Sequence, residues 1–91
     1  MKIPARIKDK IDEIDRFADY TMEELSKRPI NWDQIYENIM MIGGDISLVV
    51  DTIYDMTKDE EERDIYMSYV EEENNKTKGR IISKIKEICK I

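Results

Sequence analysis

A chain of 91 residues, 41% hydrophobic and 40% charged, holds one domain with a modest core, which argues against both two domains and global disorder. Its net charge of −6 repels nucleic-acid backbone, so general DNA or RNA binding is not expected. A lone cysteine, Cys89, allows no internal disulfide, and no stretch approaches the roughly 20 apolar residues of a secretory or membrane-spanning plan, so a reducing cytoplasmic setting without a membrane partner is expected.

The first element is an amphipathic helix from near Pro4 to near Arg28, just before Pro29. Ile7, Ile11, Ile14, Ala18, Thr21 and Leu25 recur at 4-3 spacing and form its core face, widened by Phe17 and Met22. Lys8, Asp12, Asp15, Arg16, Asp19 and Glu23 form the opposite face, read as solvated.

The second helix is signalled by Asn31 with Gln34 three residues later, close to a capping box. Ile35, Ile39, Ile42, Ile46, Val49, Ile53 and Met56 then follow an unbroken 4-3 spacing, the seam of a coiled-coil-like core. A second stripe, Trp32, Tyr36, Met40, Val50 and Tyr54, lies about 100° round, with Gly43 and Ser47 in its middle. Met41 and Leu48 add apolar surface on the other flank. The seam keeps its phase across Gly43-Gly44, which favours one continuous helix with a close helix contact or a local kink there over a break.

Thr57 with Glu60 gives a second capping-box pattern, and a third helix is expected from about residue 58. Ile65, Tyr66, Tyr69 and Val70 mark its core face, and Ile81, Ile85 and Ile88 return in phase with Val70. The polar run from Glu71 to Gly79 is either the exposed middle of one long helix or a break near Asn74–Gly79 before a fourth short helix. A third helix matched in length to the others ends near Ile82, leaving Ile85, Ile88 and Ile91 to overhang, to fold back or to meet another chain. The fold class is therefore all-α, an antiparallel bundle of three long helices, with the whole of residues 1–91 as one domain.

Chemistry is sparse. The absence of histidine removes triads, Cys-His dyads, histidine-bearing metal sites and histidine pH switches. Asp12, Asp15 and Asp19, or Asp51 and Asp55, are spaced to share a helix face, yet in so acidic a chain they read as solvated faces before a Mg²⁺ site. No glycine-rich phosphate loop follows a strand. The Asn75-Lys76-Thr77 sequon reads as a chance match in a chain without a secretory pattern. No catalytic residue, cofactor, metal or small-molecule substrate is indicated.

Charge is strongly segregated. Residues 31–57 carry five anions and no cation; residues 58–73 sum to −6 and residues 74–91 to +5. Pairing of the basic end with an acidic neighbour, in the same chain or a second subunit, is the simplest reading.

Two resemblances to families follow from short segments. Lys10-Ile11-Asp12-Glu13-Ile14-Asp15 resembles the opening helix of small all-helical chorismate mutases, whose cation cluster grips a dicarboxylate; the lack of any cation between Arg28 and Lys58 speaks against that activity here. Asn38-Ile39-Met40-Met41-Ile42-Gly43 resembles a stretch of the HEPN family, helical bundles often encoded beside minimal nucleotidyltransferases in toxin–antitoxin pairs. Without the family's arginine–histidine ribonuclease motif, that resemblance implies a non-catalytic partner.

The excess of apolar surface sets the functional expectation: a non-enzymatic interaction protein, homodimeric or bound to another protein as an adaptor, regulator or inhibitor. Trp32, Tyr36, Met40, Val50, Tyr54, Ile85 and Ile88 are its expected interface residues. The alternative is an acidic nucleic-acid mimic, prompted by the cation-free middle of the chain.

Overall fold

The computed structural model describes residues 3–89, and among them every regular element is a helix: α1 (Ala5–Leu25), α2 (Trp32–Met56) and α3 (Glu60–Ile88). All three pairs of helices touch, α1 with α2 most extensively and α2 with α3 least. The helices lie along a body 49 × 20 × 16 Å in extent.

The expected core positions of α1 are the buried ones: Ile7, Ile11, Ile14, Ala18, Thr21 and Leu25. Thr21 enters an apolar seam because its hydroxyl donates to the Phe17 carbonyl at 2.8 Å, which leaves no unpaired polar group. The helix stops at Leu25, short of Arg28, and the Ser26 and Lys27 backbone N–H groups close it by donating hydrogen bonds to the Glu23 and Glu24 carbonyls.

α2 starts as its cap signal requires, with the Asn31 side chain accepting from the Gln34 amide at 3.2 Å. Its core seam departs from expectation at Ile39 and Ile46, and at its end Met56 is half-buried. Asn38 and Asp45 are buried, whereas Ile39 is 44% exposed and Ile46 only half-buried. The physical reason is the unequal distance of the neighbours. α1 lies close against the Asn38–Asp45 side, while α3 covers the Ile39–Ile46 side thinly. Asn38 Oδ1 accepts from Gln34 Nε2 at 3.1 Å, but Asp45 Oδ2 is buried with no partner.

The helix runs unbroken through Gly43 and Gly44. Neither is at a close contact within the chain, since a Cβ on either would have nothing within 4 Å. That corrects the close helix contact expected there.

The start of α3 also differs from its expected cap. Asp59, not Thr57, is the cap, accepting from the Glu61 amide at 3.1 Å. Thr57 is occupied at the end of α2, where its hydroxyl donates to the Ile53 carbonyl at 2.6 Å and accepts from Arg63 Nε at 3.2 Å. Arg63 Nη2 donates to the Thr57 carbonyl at 3.2 Å, and its guanidinium lies 4.6 Å from the centre of the Tyr54 ring. The α2–α3 corner is thus fixed from both sides.

α3 is one helix through the polar run, so the break near Asn74–Gly79 and the fourth short helix do not occur. Two causes keep it helical. Lys76 pairs along the helix with Glu72 and Glu73, and Thr77 is buried against α1, donating to Asp15 Oδ1 at 3.0 Å. A turn later Arg80 donates to Asp19. Asp15 and Asp19, expected on a solvated face, therefore tie α1 to α3. These contacts set residues of α3 beside α1 residues about sixty positions earlier. The last turn of α3 is level with the end of α1, so Ile85 and Ile88 do not overhang; both are half-buried. Ile91 lies outside the described residues.

Candidate functional site: the outer face of α2 and its groove with α3

A helix sandwiched between two others normally shows solvent a polar face. α2 does not. Trp32 (57% exposed), Tyr36 (66%), Met40 (58%) and Tyr54 (55%) stand out from it, and Met41 and Leu48 are exposed on its other flank. Val50, Ile85 and Ile88, the remaining expected interface residues, are half-buried. The Trp32–Tyr54 stripe lies beside the Ile39–Ile46 side of the helix, so exposed and half-covered apolar residues form one continuous surface.

That surface opens into a groove between α2 and α3. A cavity of about 270 Å³ is lined by Ile39, Ile42 and Ile46 from α2 and by Asn74, Thr77, Lys78, Ile81 and Ile82 from α3. Ile39 and Ile82 remain exposed at its mouth. The groove exists because the core face of α3 is dense only near its start. Tyr66 and Val70 are buried, whereas the next fully apolar pair, Ile81-Ile82, comes eleven residues later and lies at the rim. Sequence reasoning missed this groove because the α2 seam was assigned wholly to the core. The signal available was the long polar interval in α3.

The rims of this face carry opposite charge. On α2, Asp33, Glu37, Asp51 and Asp55 are exposed, and none forms an ion pair among the described residues. On α3, Lys78 and Lys86 are exposed and likewise make no ion pair among the described residues.

Two groups whose titration is shifted, Asp45 and Tyr69, sit on other faces. Asp45 lies on the α1 side of α2, and burial, then the Glu13 charge, pushes its carboxyl above the usual aspartate range, while Lys10 opposes the shift. Lys10 and Glu13 are paired with one another at 3.2 Å. The Tyr69 phenol, on the α1 side of α3, is raised above the usual tyrosine range by burial and then by the Glu73, Asp12 and Asp15 charges. Cys89, at the end of α3, is exposed. Among the described residues no three acidic or cysteine side chains converge as a metal site requires. No described helix is long and apolar enough to cross a membrane.

No protein-family model, curated protein or solved structure matches this chain.

Proposed function

We propose that this chain is a non-enzymatic helical interaction protein that acts as a homodimer, in a regulatory or adaptor role and in a reducing cytoplasmic compartment. The observation that carries the reading is the exposed stripe of Trp32, Tyr36, Met40 and Tyr54 on the most apolar helix. Aromatic and methionine side chains are the residues that association surfaces enrich, and a contiguous patch on so small a domain stands out from ordinary surface. The helices are read as an antiparallel bundle. Supporting this are the short connections at residues 26–31 and 57–59 and the contacts of Thr77 with Asp15 and Arg80 with Asp19.

Light scattering of the purified chain tests the reading, with Tyr36→Glu beside it. The wild type is expected to be dimeric at micromolar concentration, and Tyr36→Glu to be monomeric with unchanged helicity, because a carboxylate buried in an apolar contact loses its hydration. A wild type that stays monomeric across the micromolar range overturns homodimerisation.

Asp33, Glu37, Asp51 and Asp55, exposed and without an ion pair among the described residues, favour a second reading, an acidic mimic that occupies a nucleic-acid-binding groove. Salt separates the two. Decoy binding falls steeply between low and moderate ionic strength, whereas association through the apolar stripe holds. A non-catalytic HEPN-like role is the third reading, with the Asn38–Gly43 resemblance as its support.

A further inference from the structure

The outer face of α2 and α3 is ordered from edge to edge. Asp33 and Glu37 form one rim, the stripe and groove of Tyr36, Met40, Ile39 and Ile82 form the middle, and Lys78 and Lys86 form the other rim. An acidic edge, an apolar centre and a basic edge on one surface are self-complementary under one kind of two-fold symmetry only.

If two copies meet with the two-fold axis across the helices, left edge meets left edge, and Asp33 and Glu37 confront their own counterparts. If the axis runs along the helices, the edges exchange, and the acidic rim of each copy lies against the basic rim of the other. Like charges brought together across an interface disfavour the first arrangement, and opposite charges favour the second.

We infer that the α2–α3 groove is the contact between two copies of this chain, with the two-fold axis parallel to the helices, so that α2 of each copy packs against α3 of its partner. This rests on the homodimer and antiparallel-bundle readings above and adds the partner helix, the axis and the charge pairing.

The longitudinal position follows from the cavity. Residues 39–46 of α2 share it with residues 74–82 of α3. With α3 running back along α2, the first turns of α2, carrying Asp33 and Glu37, fall beside the last turns of α3, carrying Lys86. A two-fold axis along the bundle preserves that level between copies. Lys86 of one copy therefore faces Asp33 and Glu37 of the other, and Lys78 lies two turns along, next to the Met40 and Met41 turn.

The other half of the same face obeys the opposite rule. Asp51 and Asp55 would meet Asp64 and Glu71, all four exposed and all acidic. Charge thus confines the contact to the half of the molecule where the groove is open and the exposed Trp32, Tyr36, Met40 and Ile82 lie. Apolar burial provides the affinity, and the rims set the orientation.

Charge exchange between two variants tests the inference, each checked for native helicity. Asp33→Lys/Glu37→Lys and Lys78→Glu/Lys86→Glu are made separately, and self-association is measured by sedimentation for each alone and for an equimolar mixture. Each alone is expected to dimerise about tenfold or more weakly than the wild type, because both place like charges across the two-fold. The mixture is expected to form a heterodimer within about threefold of the wild-type dissociation constant, since opposite rims are restored. A dimeric wild type whose variants associate normally, or whose mixture shows no rescue, overturns this orientation and leaves the homodimer standing. A monomeric wild type overturns both, leaving the groove to a different protein.

Discussion

The α1–α2 and α2–α3 contacts use the same helix differently. Against α1, α2 buries Ile42, Val49 and Ile53 opposite an unbroken run of six buried positions, and the contact is the most extensive in the molecule. Against α3, it meets a partner whose buried residues along Glu60–Ile88 are only Tyr66, Val70 and Thr77, the last of them bonded to α1. The polar ties of Arg63 to Thr57 supplement that sparse packing at the α2–α3 corner, while Thr77 with Asp15 and Arg80 with Asp19 hold α3 to α1 instead. Apolar content alone therefore does not close a bundle. α3 carries enough isoleucine, but spaces it so that its second half leaves a groove.

Truncation in the two regions should therefore differ most. Ile53→Ala, at a fully buried site, is expected to cost about 2–5 kcal/mol in chemical denaturation. Ile82→Ala, at the rim of the groove, should cost under about 1 kcal/mol in the monomeric Tyr36→Glu background. Equal costs would mean that α3 is as firmly packed as α1.

Asp45 lies within the tight contact. Its buried oxygen without a partner is a defect in the α1–α2 seam, of a class that costs about 1–3 kcal/mol. Asp45→Asn, which removes the charge without changing the shape, is expected to raise Tm by several degrees at pH 7. The sign with pH follows from the raised carboxyl pKa. Below the ordinary aspartate range folded and unfolded chains both hold the proton, so the ionisation penalty vanishes; above the raised value the penalty is complete. The Tm gap between variant and wild type should shrink as pH falls through that window. A gap constant from pH 7 to 4 would show that ionisation of Asp45 does not oppose folding.

The smallest expected effect concerns the outer face. Gly44→Ala should stabilise the monomer by about 0.5–1 kcal/mol, since the glycine is helical and a methyl group there meets open space. Thermal melts of the Tyr36→Glu background with and without the change measure it. A loss of stability would reveal an intramolecular contact on this face.

The six buried positions of α1 were legible because every apolar residue on that stripe faces a close neighbour. On α2 the same reasoning found Ile35, Ile42, Val49 and Ile53 but took Ile39 and Ile46 where Asn38 and Asp45 are buried. Periodicity reports which residues avoid water, whereas burial also depends on how near each neighbouring helix comes, and no local pattern encodes that distance. The continuity of α3 hung on Thr77 and its bond to Asp15, a contact across 62 positions that spacing within α3 does not reveal. The outer stripe of α2 was visible as a second apolar face. The groove beside it was not, because it arises from what α3 fails to cover.

The connections described above also carry a temporal consequence. The richest contact joins α1 to α2, elements separated only by residues 26–31, and everything it needs has been synthesised once Met56 is made. Such sequence-local contacts form fast, since little chain entropy is lost in closing short loops. A helical hairpin can therefore assemble ahead of α3 during folding. α3 then arrives on a surface already built, and docks to it chiefly through its first turns and the side chains of Thr77 and Arg80.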